Sequence, residues 1–190
     1  MNILHKEILR LAVPSILANI TVPLVGIVGI AVAGHLEGDA PVLIGGMSIG
    51  TLLFDLLYWN FSFLRIGPGG MTAQAYGRGD MKAAAGTLIR AVGVSMSIAL
   101  ICILIQWIFV DFVFLFVESS PAVRTLAESY FHIRIWAAPA TLTLMALKGW
   151  FIGMQDSISP MITDLIVNAM NIVGSICLSM GVAAQPASYR

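Results

Sequence analysis

Charge is scarce in this chain. Only 11% of its 190 residues are Asp, Glu, Lys or Arg, and ten acids cancel ten bases. A net charge of zero offers no basic patch to neutralise phosphates, which excludes a nucleic-acid partner. Cysteine is almost missing: Cys102 and Cys177 each sit inside an apolar run, so both read as small buried residues rather than a disulfide or metal pair. His5, His35 and His132 are isolated from cysteine and from one another, and no zinc-ligand spacing occurs. No GxxxxGK phosphate loop supplies an ATP-driven engine. No Ser/His/Asp or HExxH arrangement proposes a hydrolase, and no cofactor or enzymatic activity is expected.

What is present is apolar residue, 58% of the chain. A soluble core of this size has no use for that ratio. The runs are long and lack the period-2 alternation of a membrane barrel, so helices are the spanning element. The expected fold class is all-α, a polytopic transmembrane helical bundle. A span needs about 20 apolar residues, and five segments qualify, over 8–34, 41–66, 87–117, 125–153 and 160–182. Together they make one partial transmembrane domain over 1–190, with an atypical tail at 183–190. Lys6 and Arg10 ahead of an apolar run imitate a signal peptide. The run is too long for one, and Pro14, Asn19 and Pro23 interrupt it, so it reads as a retained first helix.

Polar residues within the spans carry the functional signal. In the first helix Ser15, Asn19, Gly26 and Gly29 fall near one face, and Pro23 should kink the middle. In the second, Gly46 and Gly50 have the GxxxG spacing of close helix contact. Asp55 lies about halfway along, where insertion costs on the order of 2.5–3.5 kcal/mol, so it should face protein or water. An aromatic belt (Tyr58, Trp59, Phe61, Phe63) leads to Arg65, and Gly67-Pro68-Gly69-Gly70 reads as a break before a polar segment, Gln74 to Lys82. The third helix is nearly featureless apart from Gln106 and Trp107. The fourth starts near Ser120-Pro121 and carries Arg134.

The fifth helix places Asp164, Asn168, Asn171, Ser175 and Ser179 on one stripe, spaced four, three, four and four. Two readings stand side by side: interhelical hydrogen bonds, or the wall of a polar cavity. Lys6, Arg10, Arg65, Arg78, Lys82, Arg90 and Lys148 fall on one side of the membrane, against Arg124, Arg134 and Arg190 on the other. That bias puts the amino terminus in the cytoplasm and the acidic loop Glu37 to Asp39 outside.

Several stretches, in order, resemble the multidrug and toxic compound extrusion (MATE) family, its DinF-like branch in particular. Leu11-Ala12-Val13-Pro14, Pro23-Leu24-Val25-Gly26 and Ala31 to Leu36 resemble its first helix. Tyr58 to Arg65 and Gly69 to Gly77 resemble its second-helix signature. Ile133 to Ala140 and Gly149 to Asp156 resemble its fourth helix and the loop after it, and Asn171-Ile172-Val173 its fifth.

The resemblance implies a secondary antiporter of twelve helices in two lobes, exporting organic, often cationic, amphipathic compounds across a bacterial inner membrane in exchange for protons or sodium. This chain supplies about five helices, the partial N-terminal lobe, and its partner would be the missing C-terminal lobe as well as the lipid bilayer. Two positions depart from the family. Gly29 stands where its first helix commonly has aspartate, and Ser175 where its fifth often has an acid. Asp55 then becomes the candidate carrier of the coupling ion, with a hydrogen-bonded structural carboxylate as the other reading. Asn19, Gly29, Asp164, Asn168, Asn171 and Ser175 are the candidate cavity lining. A non-transporting packing subunit and a lipid-linked precursor flippase are the alternatives.

Overall fold

Apolar side chains in every register, with few breakers, leave the backbone only its own groups to bond, and the chain folds as helix throughout. A computed structural model describes residues 3–35 and 39–183, without the side chains of 3–8, 10, 11, 14, 15, 17, 18, 35 and 180–183. Seven α-helices follow in order: α1 (Ile3–His35), α2 (Ala40–Asn60), α3 (Phe63–Gly77), α4 (Met81–Phe114), α5 (Pro121–Arg134), α6 (Ala138–Gly153) and α7 (Ile158–Ala183). A 3-10 turn, Ile135–Ala137, joins α5 to α6, and no strand occurs among the described residues. Four stretches are long and apolar enough to cross a membrane: Ala40–Gly77, Met81–Phe114, Pro121–Gly153 and Ile158–Ser179. The fifth expected span is helical in α1, where the described apolar part, Asn19–Gly34, is shorter. The acidic loop at 36–38 and the tail at 184–190 lie outside the described residues.

The chain divides into two units, one of residues 1–44 and 157–190, the other of residues 45–156. In the first, α1 packs against α7. The second holds the larger core. There α2 and α5 run parallel, and their partners advance in step. A side chain at Gly46 would meet Leu126, one at Gly50 would meet Tyr130, and Phe54 stacks on Phe131 with ring centroids 4.7 Å apart. The GxxxG pair is thus a packing seam, as its spacing predicts.

The break expected at Gly67 to Gly70 is not there. Helix α3 runs through Pro68, at the cost of one hydrogen bond to the Leu64 carbonyl. The interruption comes earlier, where Phe61 N–H bonds the Tyr58 carbonyl at 3.0 Å and Ser62 N–H the Trp59 carbonyl at 3.2 Å, a tight turn between α2 and α3. The glycines serve contact instead. Gly149 of α6 lies against the Arg65 carbonyl, and a Cβ on Gly153 would come within 2.6 Å of the Gly69 carbonyl. The backbones come this close because α6 presents glycine at both contacts.

The polar segment Gln74 to Lys82 likewise contains less loop than expected. Helix α3 closes on Gly79 (φ +71), with Asp80 N–H bonding the Ala75 carbonyl at 3.0 Å and Gly79 N–H the Tyr76 carbonyl at 2.9 Å. Asp80 then caps α4 by accepting from the Ala83 N–H at 2.9 Å, so α4 starts six residues before the expected boundary. Nor is α4 featureless. Ala84, Thr87, Ala91, Ser95, Ala99, Cys102 and Gln106 form one buried stripe of small and polar residues. It docks on α6, where the Trp150 indole donates to the Ala84 carbonyl at 2.9 Å and Ser95 meets Thr143 at 3.4 Å.

Candidate functional site

Each unit holds part of the predicted set. In the α1–α7 unit, Asn168 donates from its amide to the Thr21 hydroxyl at 2.6 Å. Of the two readings of the α7 stripe, the interhelical bond is the one Asn168 makes. Ser179 bonds back to the Ile176 carbonyl of its own helix at 2.8 Å. Asn19 and Asn171 are exposed, and Asp164 and Ser175 are half-buried. Gly29 is half-buried, with nothing within 4 Å of where its Cβ would stand. A larger side chain therefore has room at this position. Thr21 was not singled out from the sequence; its signal is a hydroxyl two residues from Asn19 in a run with few other polar groups.

In the second unit Asp55 lies on the exposed side of α2, about 22 Å along from Ala40 at 1.5 Å per residue. It lines a cleft of about 570 Å3 with Leu52, Leu56, Tyr58, Trp59, Ser62 and Met145. The cleft wall is apolar and aromatic, with Leu52 63% and Trp59 79% exposed. Among the described residues no base forms an ion pair with Asp55. A structural carboxylate bonded to a neighbouring helix is therefore not what the described residues of this unit show.

Arg134 lies within the fourth span, although the charge tally counts it on the outer side. It ends α5, about 20 Å from Pro121, inside the span Pro121–Gly153 rather than at its edge. Its guanidinium lies over the Phe54 ring at 4.7 Å and the Tyr130 ring at 5.6 Å, and donates to the Tyr130 hydroxyl at 2.8 Å. Phe54 is the residue before Asp55, so the deep acid and the deep base flank the same turn of α2. Arg124, by contrast, is held near the far end of the unit by Glu128 at 2.7 Å and Asp111 at 3.4 Å.

A second cleft, of about 490 Å3, opens between α4 and α5. There the His132 Nδ1 meets the Gln106 amide oxygen at 3.0 Å, and its ring lies 3.9 Å from that of Trp107. Gln106 is buried and its amide nitrogen donates to the Ile103 carbonyl at 2.9 Å, which leaves the oxygen facing His132 and makes Nδ1 the donor. No group of three metal-binding side chains occurs among the described residues.

Long apolar helices with an acid and a base deep in their spans define an integral membrane protein. The MatE family model matches residues 14–177, and the chain belongs to that family. The DNA damage-inducible protein F of Escherichia coli (strain K12) is 38% identical over 176 residues, covering 93% of this chain. The chain spans 38% of that relative's length.

Proposed function

We propose that this chain forms part of one lobe of a secondary antiporter. It would export amphipathic organic compounds, cationic ones among them, across the inner membrane against protons or sodium, with its amino terminus in the cytoplasm and a second lobe of the same fold as its partner. Membership of the family supports the class of protein. The observation that carries the mechanism is Asp55, a carboxylate deep in a span, exposed on an apolar-walled cleft and without an ion-pair partner among the described residues.

A cleft of this size accommodates a drug-sized compound, and hydrophobic and aromatic walls with one charged group suit chemically varied cargo. Proton and organic cation would compete for the one carboxylate, and competition for a shared site is what obliges exchange. Gly29 and Ser175 leave the family's usual acidic positions neutral, which puts the coupling on Asp55. Within their own unit, Asn19, Gly29, Asp164, Asn171 and Ser175 would line a cavity on α1 and α7, while Asn168 holds those two helices together.

Cation binding can be read directly on the chain in lipid nanodiscs with a fluorescent probe, 4-(1-pyrenyl)butyltrimethylammonium. In Asp55→Asn its affinity should be about tenfold lower. An unchanged affinity in that variant would remove Asp55 from the mechanism.

A further inference from the structure

Arg134 is a permanent cation deep in a membrane span, and among the described residues no carboxylate pairs with it. Unit two holds Asp55, Asp80, Asp111, Glu118, Glu128 and Asp156, and among the described residues none forms an ion pair with Arg134. Asp111 and Glu128 are taken by Arg124, and Asp80 and Asp156 lie beyond the ends of α3 and α6. Arg134 is nevertheless held at two points. Its guanidinium carbon lies over the Phe54 ring at 4.7 Å from the centroid, and one N–H is donated to Tyr130 at 2.8 Å. A guanidinium has five N–H donors, so others are left for an acceptor. The residue is exposed, so they are not closed off within the unit.

A fixed charge this deep is costly against lipid and persists where it faces water, protein or a ligand. We infer that Arg134 is a receptor for an anionic head, a carboxylate, sulfonate or phosphate, carried on a hydrophobic body. The floor of the receptor is Phe54 and Tyr130, which position the guanidinium by ring contact and by one hydrogen bond. Tyr58, one turn beyond Phe54 on α2, packs against it with ring centroids 5.6 Å apart. Tyr58 also lines the Asp55 cleft, and so links the aromatic floor under Arg134 to that surface. The inference rests on reading that surface as a substrate surface, and it extends the cargo from cations to anionic and zwitterionic amphiphiles.

The test compares three probes of one shape on the whole chain in phosphatidylcholine nanodiscs: 1-pyrenebutyrate, its methyl ester, and the pyrenylbutyl ammonium. The wild type should bind the carboxylate at least about tenfold more tightly than the neutral ester. Arg134→Gln should remove that preference and leave the ammonium's affinity as it is, while Arg134→Lys, which keeps the charge, should restore most of it. Adding phosphatidylglycerol identifies the source of the anion. Competition with pyrenebutyrate in the wild type assigns a lipid phosphate to the receptor, and no competition assigns the head group of a mobile compound.

Equal affinity of the wild type for acid and ester overturns the inference, whether or not Arg134→Gln folds. A carboxylate preference that survives in folded Arg134→Gln overturns it too. Loss of ammonium binding in Asp55→Asn bears on the coupling proposal alone, so the two ideas fail separately.

Discussion

Glycine positions divide sharply by what a single methyl group would meet. A Cβ on Gly149 runs into the Arg65 carbonyl, a backbone atom that cannot rotate away, whereas Gly86 and Gly93 of α4 have open space. Gly149→Ala should therefore destabilise the protein by about 1–3 kcal/mol, as overpacking does, and Gly86→Ala should be neutral or slightly stabilising. Thermal unfolding in detergent, followed by circular dichroism, separates the two. Gly29→Asp should express and run as a single species like the wild type, because nothing stands within 4 Å of that Cβ. Thr72 belongs to the same seam and is wholly buried, with no hydrogen-bond partner for its hydroxyl among the described residues. Replacing an unsatisfied buried hydroxyl by an isosteric methyl is close to neutral or stabilising, so Thr72→Val should keep or raise the melting midpoint.

At the scale of elements, two helix ends close in the same way with different residues. After α3 the left-handed position is Gly79 (φ +71), and after α6 it is Gln155 (φ +60). There Asp156 N–H bonds the Phe151 carbonyl at 2.9 Å and Gln155 N–H the Ile152 carbonyl at 3.0 Å, the same pair of closing bonds. A left-handed backbone costs a residue with a Cβ roughly 1–2 kcal/mol, so Gln155→Gly should raise the melting midpoint and Gly79→Ala should lower it. Between α1 and α7, a double-mutant cycle of Thr21→Val and Asn168→Leu should return a coupling on the order of 0.6 kcal/mol, the usual worth of a hydrogen bond between membrane helices. A coupling of zero would mean that the 2.6 Å contact does not hold the pair together.

The elements also show which physical signals reach the sequence. Long apolar runs, the Gly46–Gly50 spacing and the Ser120-Pro121 start were legible because each has one structural use. Ser120 does cap α5, accepting from the Val123 N–H at 3.4 Å. The Gly-Pro-Gly-Gly stretch was not, because its glycines mark either a break or a close crossing, and only α6 on the other side decides between them. The stripe on α4 was passed over for a related reason: small residues hide among apolar ones until their spacing of three and four is counted. The 3-10 turn between α5 and α6 was not read from the sequence, where 125–153 appears as one unbroken run, because a single tightened turn leaves the apolar pattern intact.

Over the whole molecule the sequence carried the all-α membrane fold and the family, and left the site half assembled. Asp55 was singled out from its depth and from the neutral Gly29 and Ser175, and the cleft around it depends on Met145, brought from α6 and far from it in sequence. Phe54, the platform for Arg134, was read only as part of an apolar helix, because its stacking depends on α5. The residues of α1 and α7 and those around Asp55 occupy separate units. The proposal that they serve one transport cycle is therefore a claim about function. Substrate-driven proton movement tests it most directly, in proteoliposomes holding a full-length carrier that contains this chain. With Asp55→Asn, expressed and inserted at the wild-type level, the account predicts that adding substrate drives no proton movement. Proton exchange at the wild-type rate in that variant would contradict it.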